Sequence, residues 1–293
     1  VENWRSTSSA DNWVFRVKDG VKEIHFGDPG WRLGYARDAL NSYFVFKTLR
    51  EKGTISEDVR FQVCLPLTYS GIGALFRTIK DWPVMAAAYE EAMAAELAVI
   101  VDKIPPEDLA IQWDFCVELG MIEGGGAKSG HGSWNDLETQ PSELIGASIA
   151  HLSPLIPDEV MLGFHLCYGT LGGWPMRPGN DLAMGVDAVH LILDRAGRQV
   201  DFVHIPILDN VPAEYFAPLG NLNSGGTKIY FGVIHNMNDL DDFRHKITEC
   251  TRYVDDFGVA APCGFGRYSA EEMIPVIEDH RTALTVLNEM RAN

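Results

Sequence analysis

No stretch of about 18 apolar residues free of charge occurs in the chain, so no helix long enough to cross a bilayer is expected. The opening VENWRSTSSADNW has no basic segment followed by an apolar one, the pattern of a secretory leader. Positive charge is scarce: 24 Lys and Arg stand against 41 Asp and Glu, a formal charge of -17. A phosphate backbone or an anionic membrane would repel such a surface, so neither nucleic acid nor membrane is an expected partner. The five cysteines, Cys64, Cys116, Cys167, Cys250 and Cys263, are odd in number and far apart. That spacing argues against a secreted disulfide framework and for reduced thiols. A cytoplasmic protein is expected, with association into a homo-oligomer left open. No GxGxxG motif joins the first strand-like run to a helix, which removes the chief signal of a dinucleotide-binding fold. Internal repeats are absent as well.

What is present is material for a core. With 293 residues, 46% of them hydrophobic, the chain can fill one large domain, read as residues 1–293. Six short apolar runs predict strands: FQVCLPL (61–67), LAIQWDF (109–115), VMLGFHLC (160–167), DFVHIPIL (201–208), KIYFGVI (228–234) and FGVAAPCGF (257–265). Helical spacing covers 36–52, closed by Gly53, and 84–103, opened by Pro83 and closed by Pro105. It recurs at 143–151, 240–253 and 270–291. Helices alternating with near-continuous apolar strands predict an α/β fold whose parallel sheet is covered on both sides. Polar residues fall at or just beyond the C-terminal ends of several strands: Asp114 and Glu118, His165 and Cys167, His204 and Asp209, His235, Cys263 and Arg267. A (β/α)8 TIM barrel gathers its active site at that face. Only six strands are legible, so one or two more are expected upstream or in less regular sequence. NWVFRV and VKEIHF flank Lys18-Asp19-Gly20 and predict an N-terminal β-hairpin with an Asp-Gly turn. The stretch EGGGAKSGHGSWND (123–136) reads equally as a lid over the site or as a plain surface loop.

In GFHLCYGTLGGWP (163–175), His165 and Cys167 are two apart on a predicted strand, so their side chains share a face. One imidazole nitrogen and one sulfur are half of a tetrahedral zinc site, and a reactive site keeps one position for substrate. Cys263, in APCGFGR at the end of a later strand, is the leading third ligand. HLCYG (165–169) and PCGFGR (262–267), together with FQVCLPLTYS (61–70), IQWDF (111–115) and FGVIHNMND (231–239), resemble stretches of one family. It is that of the cobalamin-independent methionine synthases and their short relatives, in the barrel superfamily shared with uroporphyrinogen decarboxylase. The resemblance follows the family's order over most of the chain and is most specific at the HxCYG and Cys-Gly pair. It implies that His165, Cys167 and Cys263 bind Zn2+, and that Asp114 holds the amino group of a thiol substrate.

The chain also departs from that pattern. Where the family ends the strand after HxC on a Glu ligand, DFVHIPI places Pro206. Three outcomes stay open: His204, two residues earlier on the same face, completes the metal site; the site has three protein ligands; or the metal is no longer held firmly. The Asp-Glu-Pro of the family is altered to DFCVE, and the family's acidic histidine falls near His235. No large N-terminal duplicate is present, so a full-length methionine synthase is not expected.

The chemistry implied is transfer of a methyl or small alkyl group to or from a thiol. A free thiol is mostly protonated at neutral pH, whereas one held by Zn2+ is deprotonated and can attack carbon in line. His235 or His204 is the candidate acid for the leaving group. Tyr168, Trp174 and Trp113 offer either an aromatic wall for a flat donor such as a pterin or aryl ether, or simple packing. Arg267 suits a substrate carboxylate or phosphate, or a structural ion pair; Glu118 joins the site or solvates its loop. Two other functions stay open: a metal-free lyase or decarboxylase that uses the histidines and Arg267, and a non-catalytic binding protein with a degraded site.

Overall fold

The computed structural model describes residues 15–26, 33–73, 75–76, 78–123, 137–170, 174–176, 178–235, 237–266 and 268–292. Arg267 and nearly all of the glycine-rich stretch 123–136 lie outside the described residues. The fold is α/β with six parallel strands, and each of the six apolar runs forms one. They are β1 (Phe61–Pro66), β2 (Leu109–Phe115), β3 (Met161–Leu166), β4 (Phe202–Pro206), β5 (Lys228–Gly232) and β6 (Phe257–Ala260). The chain forms two compact units, one of residues 15–165 with 191–201, the other of 166–190 with 202–292. The division between them falls within β3. No helix among the described residues is long and apolar enough to cross a membrane.

The N-terminal unit holds α1 (Tyr35–Glu51), α2 (Thr68–Ile72), α3 (Trp82–Lys103), α4 (Val117–Ile122) and α5 (Pro141–Leu152). β1 and β2 pair in parallel, from Phe61 opposite Leu109 to Pro66 opposite Asp114, and β3 lies next to β2. Leu109, Ile111, Trp113 and Phe115 of β2 are all fully buried, as are Leu97 and Ile100 of α3 and Ile145 and Ile149 of α5. Burial of each such aliphatic side chain is worth about 1.5–3 kcal/mol, and this is the core that the apolar runs foretell.

α1 has no cap of its own, since Gly34 precedes it with φ +96°. Glu96, fully buried on α3, supplies one instead: its oxygens accept the amides of Gly34 at 3.0 Å and Ala36 at 2.5 Å. A carboxylate facing the first turn also suits the positive end of the helix dipole.

β3 is fixed at its start by Arg198, whose guanidinium donates to the carbonyls of Ile156 at 2.7 Å, Pro157 at 2.6 Å and Val160 at 2.9 Å. Asp201 adds a two-way link to Leu162: its amide donates to the Leu162 carbonyl, and its carboxylate accepts the Leu162 amide, both at 2.7 Å.

The predicted N-terminal hairpin is not seen. Residues 15–26 form no strand, although the turn at Asp19-Gly20 is present, with Gly20 at φ +83° and the Val21 amide on the Lys18 carbonyl. The amides that would build a ladder are used elsewhere. Phe15 donates to the Leu75 carbonyl at 2.9 Å and Val17 to the Asp81 carboxylate at 3.0 Å.

In the C-terminal unit, β4, β5 and β6 pair in parallel, Phe202 opposite Lys228 and Ile229 opposite Phe257. The unit contains the start of α6 (Ala183–Arg195), a 3-10 stretch (Ala213–Asn221), α7 (Leu240–Thr251) and α8 (Ala270–Ala292). The five helices read from the sequence are found to within two residues. α6 was not among them, because Gly185 weakens its pattern. Gly185 has a packing reason: a Cβ there would stand 3.3 Å from Ile205 Cγ2 on β4.

Gly232, the last residue of β5, is still more confined. A Cβ there would meet Pro262 Cα at 2.7 Å, His204 Nε2 at 2.8 Å and Pro206 Cα at 3.0 Å. Gly232→Ala should therefore cost about 1–3 kcal/mol in urea unfolding, as overpacking does. Gly264→Ala, where a Cβ meets nothing within 4 Å, should cost far less. Equal stability of the two variants would contradict the crowding.

Candidate metal centre

β3 carries the chain from one unit into the other, so His165 and Cys167 are related by the strand itself, while Cys167 and Cys263 belong to one unit. Alternation along the strand sends Leu166 into the core, fully buried. His165 is buried, and Cys167 and Cys263 are partly exposed. The ligand atoms of these three residues all lie within 4.8 Å of one another, and the two Sγ atoms are 3.5 Å apart.

The donor set fits zinc. Two sulfurs on one tetrahedral ion, with Zn–S bonds of about 2.3 Å, stand about 3.8 Å apart. One imidazole and two thiolates would also balance a divalent charge. The Gly169 amide reaches Cys167 Sγ at 3.3 Å, a contact that favours the thiolate. Glycine is needed there: Gly169 has φ +81°, and a Cβ would stand 3.0 Å from Met176 Sδ.

His204 is not a member of this group. Its ring lies beside Gly232 and hydrogen-bonds the Ala261 backbone, and burial pushes its pKa down to about 4, so it is neutral. β4 ends at Pro206, which carries no ligand atom.

His235 is held through its Nε2. Nε2 is 2.7 Å from the Ile207 carbonyl, which can only accept, so that nitrogen carries the proton. Nδ1 is 3.1 Å from Asp209 Oδ2. Behind Asp209 lies Lys246, 1% exposed, with Nζ 2.9 Å from Asp209 Oδ1 and 2.6 Å from Asp242 Oδ2. Burial and then the Lys246 charge push the His235 pKa down, while Asp209 opposes them. Sequence reading did not single out Lys246; its i, i+4 spacing from Asp242 is the signal that points to it. Tyr168 stacks on Trp174 at 5.8 Å, and the Trp174 ring is 6.4 Å from that of His235.

Two carboxylates follow from β2 in the N-terminal unit. Asp114 accepts from Gln112 Nε2 at 2.9 Å, and Gln112 Oε1 accepts from Gln62 Nε2 at 3.1 Å. Both amides also approach Cys64 Sγ, at 3.3 and 3.4 Å. Burial pushes the Asp114 pKa up to about 6. Glu118 is fully buried, and Ser70 engages both its oxygens, one through its hydroxyl and one through its amide at 2.9 Å. The same hydroxyl accepts the amides of Cys116 at 3.0 Å and Val117 at 3.1 Å, so Ser70 and Glu118 together brace the start of α4. Burial raises the Glu118 pKa too. Trp113 is wholly buried, a core residue.

The fold is of the methionine synthase kind, with a His-Cys-Cys group compatible with zinc. A similar fold is found in a crystal structure from Listeria monocytogenes, named as a candidate vitamin-B12-independent methionine synthase. The match has a TM-score of 0.53 at 16% identity and covers 80% of this chain and 66% of that one. This chain thus spans just under two thirds of that protein, and at such identity the likeness is one of fold. No protein-family profile matches the chain, and no curated protein does.

The raised Asp114 pKa has a consequence for stability. The folded state binds this proton more tightly than the unfolded chain, so the contribution is full below the ordinary carboxyl value of 3.8 and lost as pH rises through about 6. Asp114→Asn, which mimics the neutral acid, should lose less stability than wild type between pH 4 and pH 7. Parallel urea-unfolding profiles of the two proteins over that range would rule out a raised Asp114 pKa.

Proposed function

We propose that the protein is a zinc-dependent transferase that moves a methyl or small alkyl group to or from a thiol, on a (β/α)8 barrel frame. The observation that carries this reading is the convergence of His165, Cys167 and Cys263 within 4.8 Å at the C-terminal ends of their strands. Three protein ligands, with no carboxylate at Pro206, leave one tetrahedral position for a substrate atom, the arrangement of catalytic rather than structural zinc. The likeness to the Listeria fold supports the barrel.

His165, Cys167 and Cys263 would hold the ion, which when bound lowers a thiol's pKa so that it reacts as thiolate at neutral pH. The Gly169 amide donates toward the Cys167 sulfur. Asp114 is the residue to receive the amino group of an amino-acid thiol, and an ammonium beside it would draw its pKa down and fix the ionised form. Tyr168 and Trp174 present a stacked aromatic face suited to a flat donor. His235 carries its proton on Nε2 and donates it in a hydrogen bond to the Ile207 carbonyl, so delivery to a leaving group requires the ring to turn. Arg267 is the proposed contact for a donor carboxylate.

One observation favours a second reading. The Nε2–H of His235 is committed to the Ile207 carbonyl. That suits a non-catalytic binding protein as well as an enzyme.

Elemental analysis of protein purified without chelator decides first. Near-stoichiometric zinc in the wild type, lost in Cys167→Ser and in Cys263→Ala but kept in His204→Ala, is the expected result. Zinc absent from the wild type, or unaffected by loss of either cysteine, would defeat the transferase mechanism and move the binding-protein reading forward.

A further inference from the structure

We infer that Cys167 and Cys263 are an oxidisable pair, a modification site at which a hydroperoxide closes a disulfide across the candidate metal centre. The two Sγ atoms are 3.5 Å apart, both residues are partly exposed, and both belong to the same compact unit. A disulfide needs an S–S distance of about 2.05 Å, so the sulfurs must close by roughly 1.5 Å, within reach of side-chain rotation. The linked product is the same whichever of the two sulfurs reacts first.

Two of the other three thiols are less suited. Cys250 is buried, and burial raises its pKa. Cys64 lies on an exposed stretch of β1, but desolvation of its sulfur and the nearby Asp114 charge push it up to about 11.

The step balances with a hydroperoxide as the oxidant. The Cys167 thiolate attacks the outer peroxide oxygen, the O–O bond breaks, and the departing oxygen leaves as alcohol or water. The resulting sulfenic acid is attacked by Cys263 sulfur, the S–S bond forms, and hydroxide leaves with the second thiol's proton as water. Two electrons pass from the cysteine pair to the peroxide. Sulfurs committed to a metal cannot also be bonded to each other, so metal binding and oxidation exclude one another. That last point rests on the zinc reading; the disulfide itself does not.

The test uses the full chain, reduced and freed of metal by chelator, then given about one equivalent of hydrogen peroxide. Of five thiols, three should remain in denaturant, and peptide mapping should join Cys167 to Cys263 in a link broken by dithiothreitol. Five surviving thiols, or first oxidation at Cys64 with Cys167 and Cys263 unlinked, would overturn the proposal. Protein loaded with zinc should be oxidised at least about tenfold more slowly and release its zinc in step with thiol loss, read with a chelating dye. Should no zinc bind, the transferase reading fails, while the thiol count in metal-free protein still decides the pair.

Discussion

A single guanidinium, that of Arg198, closes the turn ahead of β3 by donating to three successive carbonyl acceptors, Ile156, Pro157 and Val160. Hydrogen bonds from a charged donor are worth about 1.5–3 kcal/mol each, and without them the turn would leave carbonyls unpaired beside a buried strand. The register of β3 depends on that anchor and on the Asp201–Leu162 exchange. Side chains alternate along a strand, so a slip of one residue would carry both His165 and Cys167 to the opposite face. The face on which His165 and Cys167 stand is thus tied to an arginine that anchors the start of the strand.

Asp114 and Glu118 show how environment separates two like groups. They stand four residues apart where β2 runs into α4, and burial raises the pKa of each. Glu118 spends its oxygens on Ser70 and holds a helix start in place. Asp114 takes one amide donor from Gln112 and remains the carboxyl with capacity to spare. Burial moves the two acids in the same direction, and their hydrogen-bond partners are what differ.

The strands and most of the helices were legible because each is a continuous apolar run or a stripe of helical period, and burial follows that pattern directly. α6 escaped because Gly185, unfavourable in a helix, is there for close approach to Ile205, a tertiary reason that local sequence does not carry. The hairpin misread has the same origin. An Asp-Gly turn specifies a reversal, but the amides of Phe15 and Val17 found partners at Leu75 and Asp81. At the site, His165 and Cys167 were legible from a spacing of two, and Cys263 from its glycine-flanked strand end. The hold on His235 was not, since it depends on Ile207, Asp209 and Lys246, which only the fold brings together.

The amide chain beside Asp114 has a polarity. An amide nitrogen only donates, so the hydrogen bonds run one way, from Gln62 to Gln112 and from Gln112 to the carboxylate. Exchanging Gln112 for glutamate would turn a donor into an acceptor and set two carboxyl groups side by side on one strand face. Elsewhere this chain tolerates acids freely, with 41 of them. At buried position 112 the step from amide to acid is costly, although the change is only an oxygen in place of a nitrogen.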